Sequence, residues 1–350
     1  MILIIKDENG DVELNISIRE MEYLLAVASE GNITRAAQKV YVTQPSLTQT
    51  IQKMEQYYET KLFIRGKKHM NPTRAGKVLI EACTKMVKIY RDAENELTDI
   101  ADTKRGSLII GMPFNLSSFI FPLLYSIYQK NYPDMRMVPV EGNSDELEKM
   151  LFNGVIDIGI MPLPLQSSVL KYQEIFTERL ILSVPRKHKL NSFAFNKKGE
   201  RFPSIDIRLA DKEPFVLSLQ GQRGRVASEK IFREANITPS VVFVTKNVET
   251  KKRMSAVGLG LTMFPEHYLD FFSSPEGACY YYMDGINSAR WTVVAAYLED
   301  AYFLKGSRDC LSILTKMFVN GHPYMLNVGN NGLEQWMDVP KDPRSDLRSL

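Results

Sequence analysis

Between Thr43 and Met54 the chain interleaves Thr43, Gln44, Pro45, Ser46, Thr48, Gln49, Gln52 and Lys53 with Leu47, Ile51 and Met54. The three apolar residues fall at i, i+4 and i+7, the spacing of one buried helix face. Thr43 can cap such a helix, and Pro45 stands in its first turn, where a missing amide hydrogen costs little. The other face then carries amide and hydroxyl groups and almost no negative charge. Glutamine can pair two-pronged with adenine, hydroxyls bond bases or phosphates, and a helix fits the major groove. A solvated polar helix would look the same, so this face leaves both readings open.

The next segment tips the balance. Leu62-Phe63-Ile64, then Arg65-Gly66-Lys67-Lys68, then His69-Met70-Asn71 reads as a β-hairpin with a basic tip. Such a hairpin beside a polar helix makes a wing able to grip phosphate or reach a minor groove. Between Gly31 and Arg91 there are twelve basic residues against three acidic ones, although the whole chain carries only +3. That local excess is a polyanion-binding bias, though solvated surface lysines would also produce it.

Elements that could position this helix precede it. Ser17 and Glu20 form a capping box opening a helix with Met21, Leu24, Leu25 and Ala28 as its stripe, and Gly31 ends it. A second helix runs from Ile33 or Thr34 to Val40, its small pair Ala36-Ala37 allowing close packing, and Tyr41-Val42 makes the turn. Upstream, Asn9-Gly10 between Ile2–Ile5 and Val12–Ile16 predicts a short hairpin.

Taken in order, Ile33-Thr34-Arg35-Ala36-Ala37, Val42-Thr43-Gln44-Pro45-Ser46-Leu47-Thr48, Leu62-Phe63-Ile64-Arg65 and Pro72-Thr73-Arg74-Ala75-Gly76 resemble the DNA-binding domain of LysR-type regulators. The resemblance implies base or adjacent backbone contacts for Gln44, Pro45, Thr48 and Gln49, and phosphate contacts for Thr34, Arg35 and Arg65. With Thr43, Ser46, Lys53, Lys67 and Lys68 these make up the candidate DNA-binding set. Many family members carry arginine where Gln49 stands and a Leu-Gly pair where Tyr57-Tyr58 stands.

From Thr73 to about Asp102 a long helix is predicted, with Leu79, Ala82, Met86, Ile89, Ala93, Leu97 and Ile100 spaced by threes and fours. That is a coiled-coil-like seam, and the first six are the candidate dimerisation residues. A two-fold dimer would present two recognition helices to an inverted repeat. The resemblance also allows tetramers and implies RNA polymerase as a partner.

Beyond Lys104-Arg105-Gly106 the pattern changes to alternating strands and helices. Strands are expected at 107–112, 135–140, 156–161, 214–218, 240–245 and 260–264, and helices at 116–130, 144–153, 223–235 and 248–256. Two such lobes joined by two crossings make a hinged cleft. Gly106–Gly111, Gly154–Ile160, Asn247–Thr250 and Gly258–Leu261 resemble the same family's effector domain. Ligands of such folds sit outside the carboxyl ends of the strands, at helix N-termini. The candidate effector-binding residues are Asn115, Ser117, Ser118, Asn143, Ser144, Gln220, Gln222, Asn247 and Phe264, and the expected ligand is a small anionic metabolite.

The expected architecture is therefore α/β with an all-α-plus-wing N-terminal part. Its segments are an extension (1–17), a winged helix-turn-helix (18–72), a linker helix (73–104), a periplasmic-binding-protein-like two-lobed effector domain (105–320) and a loose tail (321–350). Within the effector domain the first lobe is expected at 105–163 and 263–320, and the second at 164–262. Exposed Trp336 and Met337 are thin evidence for a partner of the tail.

The apolar run Ile2–Ile5 is too short for a signal core or a membrane span, so a cytoplasmic location is expected. Cys83, Cys279 and Cys310 are odd in number and widely spaced, which argues against a disulfide framework or paired-cysteine zinc site. A redox sensor would need Cys279 and Cys310 to meet. The chain lacks a G-x-S-x-G elbow, an H-E-x-x-H pair and a P-loop, and its four histidines are scattered. No catalytic residue, metal ligand or cofactor is therefore expected. A secreted solute-binding protein would share the cleft but have no use for the basic N-terminal third.

Overall fold

The computed structural model describes residues 16–66, 69–100, 106–271, 275–299, 305–319 and 322–323. The predicted N-terminal hairpin, the wing-tip residues Lys67 and Lys68, and the tail from 324 lie outside these residues. The chain divides into two compact units, residues 1–106 with 149–156, and residues 107–148 with 157–350.

In the first unit Ser17 and Glu20 cap α1 (Ile18–Glu30) reciprocally, and Gly31, left-handed at φ 57°, closes it. Asn32 accepts from the amides of Thr34 and Arg35 to open α2 (Ile33–Lys39). Tyr41 then turns the chain at φ 56° into α3 (Gln44–Tyr57), capped by Thr43. One core joins Leu24 and Val27 of α1, Ala36 and Ala37 of α2, and Leu47, Ile51 and Met54 of α3. The chain leaves α3 through Glu59 at φ 47°.

Strands β1 (Phe63–Arg65) and β2 (Met70–Pro72) pair antiparallel as the wing. Thr73 then locks the start of α4 (Arg74–Ile100): its hydroxyl donates to Lys61 O at 2.6 Å and accepts from Gly76 N at 2.9 Å. A Cβ on Gly76 would lie 2.0 Å from Leu62 O, so only glycine lets the helix pass this close to the chain before the wing. The first half of α4 has more core to pack against than its sequence suggests, because Leu79, Ile80, Cys83 and Val87 join the cluster built on α1.

After α4 the chain runs through β3 (Gly106–Met112), α5 (Phe114–Asn131), β4 (Met135–Glu141), α6 (Ser144–Phe152, its last four residues grouped with the first unit), β5 (Ile158–Pro162) and β6 (Leu170–Pro185). It continues through β7 (Ser204–Ile205), β8 (Pro214–Ser218), α7 (Arg223–Ala235), β9 (Ser240–Thr245), α8 (Val248–Ala256) and β10 (Thr262–Pro265). It closes with α9 (Tyr268–Phe271), β11 (Ala278–Met283), β12 (Arg290–Leu298) and α10 (Lys305–Lys316). The main sheet runs β4-β3-β5-β12-β6-β11-β7, with β10 also on β6.

Two cores divide this unit into lobes. Leu108, Ile110, Ile120, Leu124, Ile160 and Cys310 belong to the first; Leu182, Val184, Phe215, Leu217, Ile231 and Leu261 belong to the second. The antiparallel strands β6 and β12 cross between them: Ile175, Phe176 and Val293 pack in the first core, whereas Leu180 and Leu182 pack in the second. At the crossing Thr177 and Thr292 share a 2.8 Å hydrogen bond. The expected lobe boundary at 263 needs correction, because Met263, Tyr281, Met283 and Ala289 fill the second core. The return crossing is β12, for β11 first adds to the second lobe's part of the sheet through its pairing with β6.

Candidate nucleic-acid interface and ligand cleft

On α3 the burial of Leu47, Ile51 and Met54 at 0–3 % exposure turns the polar residues outward. Gln44, Pro45, Ser46, Gln49, Gln52 and Lys53 are exposed, as are Thr43 before the helix and Thr34 and Arg35 on α2. Thr34 Oγ1 donates to Gln44 Oε1 at 3.3 Å, so the two helices present one hydrogen-bonding surface. Thr48 is half-buried and spends its hydroxyl proton on Gln44 O, 2.9 Å away. Arg35 donates to Glu30 O at 2.8 Å, which holds its guanidinium against the end of α1.

Glu55 joins this helix to the wing, a role sequence reasoning missed. Its carboxylate accepts from Lys61 Nζ at 2.7 Å and from the amides of Leu62 and Phe63 at 2.9 and 3.3 Å. Burial pushes its pKa up, but these donors outweigh burial and hold it below the usual carboxylate range. Its place as one of three acids in a stretch with twelve basic residues was the only signal in the sequence.

Of the dimerisation candidates, Ala82, Met86, Ile89, Ala93 and Leu97 lie exposed along α4, with Met86 52 %, Ile89 69 % and Leu97 65 % accessible. Leu79 is partly buried against the first unit's own core. It also lines an apolar groove of about 800 Å³ with Ile64, Val78 and Ala82.

In the second unit a cavity of about 320 Å³ opens between the lobes, within the size range of small-molecule sites, about 300–1,000 Å³. Of the candidate effector residues, Asn115, Asn143, Ser144, Gln220, Gln222 and Phe264 line it. Ser117 is buried in the first turns of α5, Ser118 turns its hydroxyl back to Asn115 O, and Asn247 caps α8 through Thr250 N. These three are outside the lining. Asn143 and Glu146 cap α6 reciprocally. No side chain caps α5 or α7, where Gln222 instead accepts from Leu219 N and donates to Lys246 O.

The ionic residues of the cleft were not among the candidate effector-binding residues, although Arg223 opens a helix whose first turn was expected there. Arg223, only 5 % exposed, reaches from α7 of the second lobe to Asp145 at 2.9 Å and Glu148 at 2.7 Å on α6 of the first. Lys251 of α8 is 2 % exposed, and burial pulls its ammonium down to about 8. Ser218, Tyr268 and Trp291 also line the cavity. Nearby, His267 pairs with Glu178 inside the protein, a structural use of a lone histidine.

Residues 18–77 match the family described as bacterial regulatory helix-turn-helix protein, lysR family, and residues 101–318 match the LysR substrate binding domain. The chain is 28 % identical over 259 residues to the uncharacterized HTH-type transcriptional regulator YcgK of Bacillus subtilis, covering 71 % of this chain and 80 % of YcgK. It is 25 % identical over 254 residues to the regulator CfxR of Cupriavidus necator, covering 73 % and 77 %. Among solved structures, a cysteine variant of full-length OxyR from Pseudomonas aeruginosa aligns with TM-score 0.65 at 22 % identity, over 89 % of this chain and 98 % of that one. Full-length CbnR in complex with its target DNA aligns with TM-score 0.59 at 18 % identity, over 85 % and 99 %.

Proposed function

The chain belongs to the LysR-type family of DNA-binding transcriptional regulators, with an effector-binding domain and no enzymatic role, and from that premise we propose how it reads DNA and what it senses. The outward face of α3, Gln44, Ser46 and Gln49, enters the major groove, with Thr43 and Pro45 at its leading end, Thr48 beside them and Lys53 set to meet a phosphate. Thr34, Arg35 and the wing residues Arg65, Lys67 and Lys68 hold phosphates. The observation that carries this reading is the burial of Leu47, Ile51 and Met54, which leaves α3 with a solvent face of amides and hydroxyls and no acid before Glu55.

The exposed apolar row on α4 pairs with a second copy, and the groove at its N-terminal end extends that surface. A dimer, or a tetramer built from dimers, then meets an inverted-repeat operator. The cavity between the lobes takes a small anionic metabolite whose binding changes lobe closure. The protein works in the cytoplasm, where DNA and RNA polymerase are its partners; no helix among the described residues is long and apolar enough to cross a membrane.

A redox-sensing role finds no support in the cysteines. Cys310 lies in the first lobe's core and Cys279 packs against the second's. Burial pushes the thiols of Cys83 and Cys310 up, away from the reactive thiolate. Footprinting the full chain on its own upstream DNA, with and without candidate metabolites, tests the whole reading. Absence of any protected inverted repeat at moderate salt overturns it.

A further inference from the structure

Three side chains around the inter-lobe cavity carry buried N–H groups without an acceptor. Lys251 gives one N–H to Ser218 Oγ and one to Met263 O, both at 3.0 Å. An ammonium has three N–H groups, so one remains. The neighbouring Lys252 has Glu249 at 2.7 Å, but no carboxylate among the described residues pairs with Lys251. Arg223 directs its terminal nitrogens to Asp145 and Glu148, while its buried Nε–H has no acceptor. The indole N–H of Trp291 is likewise buried without one. All three residues line the cavity.

Unmatched buried donors are costly, and a buried cation without a counter-charge more so. A guest that supplies acceptors and one negative charge would relieve both. Arg223 already faces two carboxylates, so the buried charge still available to a guest is the Lys251 ammonium. The open first turn of α7 is close by: Ser218 Oγ, which accepts from Lys251, would lie 3.0 Å from a Cβ on Gly224. Phe264, Trp291 and Pro113 supply apolar wall, and Asp145 stands in the lining to repel a second anionic group.

Building on the effector-cleft reading above, we propose that Lys251 is the residue that sets ligand charge here, and that the cleft selects a small monocarboxylate with an apolar body. The carboxylate sits between the Lys251 ammonium and the first-turn amides of α7. Its body lies against Phe264 and Trp291.

The test uses the full chain carrying Trp336→Phe, which leaves Trp291 as the single tryptophan of the two in the sequence. Isobutyrate, cyclohexylacetate and phenylacetate are titrated beside phenylacetamide and phenylsuccinate, reading Trp291 fluorescence and the thermal midpoint. At least one monocarboxylate is expected to saturate both signals, and phenylacetamide and phenylsuccinate to bind at least tenfold more weakly than phenylacetate. Lys251→Met is expected to lower carboxylate affinity at least tenfold and leave the amide unchanged. Lys251→Gln, which keeps a donor but loses the charge, should erase the preference too, and it serves if the methionine variant does not fold. Equal binding of acid and amide, undiminished acid binding by both variants, or no monocarboxylate bound at 10 mM overturns the proposal. Footprinting with the same compounds separates the two readings. A neutral ligand that alters the footprint overturns the monocarboxylate assignment and spares the regulator. A carboxylate bound through Lys251 that leaves the footprint unchanged sustains the site and overturns its effector role.

Discussion

Arg223 of α7 and Glu148 of α6 meet at 2.7 Å, with side chains 4 % and 7 % exposed, and so tie one lobe of the ligand-binding unit to the other. Glu148 also accepts from the amides of Gln166 and Ser167, and Asp145 takes a second nitrogen of Arg223. Removing one partner of a buried pair leaves the other charge stranded, which costs about 3–5 kcal/mol. Arg223→Met is therefore expected to destabilise the protein by about 3 kcal/mol in urea unfolding, since the two amides still serve Glu148. Arg223→Met with Glu148→Leu should recover part of that loss, and additive losses in the double-mutant cycle would show that the two residues do not couple.

Base reading and phosphate gripping should separate on α3. Gln44→Ala is expected to weaken operator binding by about 1–3 kcal/mol and random duplex much less. Lys53→Ala should weaken both alike and reduce the salt slope by about one. Fluorescence anisotropy across a salt series reads both effects. Equal losses on operator and random DNA for Gln44→Ala would remove α3 from the major groove.

The apolar row on α4 is exposed in the single chain, so charging it should cost the protomer little. Ile89→Glu combined with Leu97→Glu is expected to yield a folded monomer in sedimentation equilibrium, with a circular dichroism spectrum unchanged from the parent. A dimer persisting at micromolar concentration would place the interface elsewhere.

Gly76 tests the fit between α4 and the chain before the wing. Because the obstacle to a Cβ is the backbone oxygen of Leu62 and not a movable side chain, Gly76→Ala should cost about 1–3 kcal/mol despite alanine's better helix propensity. Thermal unfolding of the variant gives the answer, and an unchanged midpoint would contradict the close approach.

Burial alone pulls Lys251 from the ordinary lysine value of 10.5 down to about 8. Its contribution to stability is therefore fully present above 10.5 and is lost as the pH falls through about 8, where the folded protein must hold a buried charge. Lys251→Met should accordingly be more stable than the parent at pH 7.5, and the gap should narrow by roughly 2 kcal/mol by pH 9.5, at about 1.4 kcal/mol per pH unit. Denaturant unfolding at the two values measures it. A constant gap would mean that Lys251 does not titrate in this window.

The DNA-reading half was legible because its determinants are local. Ser17 with Glu20, Gly31 and Thr43 punctuate α1 and α3 by capping chemistry that acts within four residues. Ala36-Ala37 and the i, i+4, i+7 row of α3 announce which faces meet. In the ligand-binding half α7, α8, β8 and β9 were read residue for residue, since loops with glycine or polar caps bound each. By contrast β6, β11 and β12 escaped. The sixteen residues of β6 are exposed over 171–174, mixed up to Arg179 and buried on both faces from Leu180, with no glycine between to mark the change, because the strand leaves one core for the other.

Periodicity and capping along the chain determined by themselves that a polar helix, a wing, a rod and a pair of α/β lobes follow one another, because each of those signals needs only near neighbours. Which charges face the cavity was decided by tertiary structure alone. Arg223, Lys251 and Trp291 come from three elements separated in sequence, and only the crossing of β6 and β12 and the packing of two cores bring them to one cavity, where burial leaves their donors in need of an acceptor.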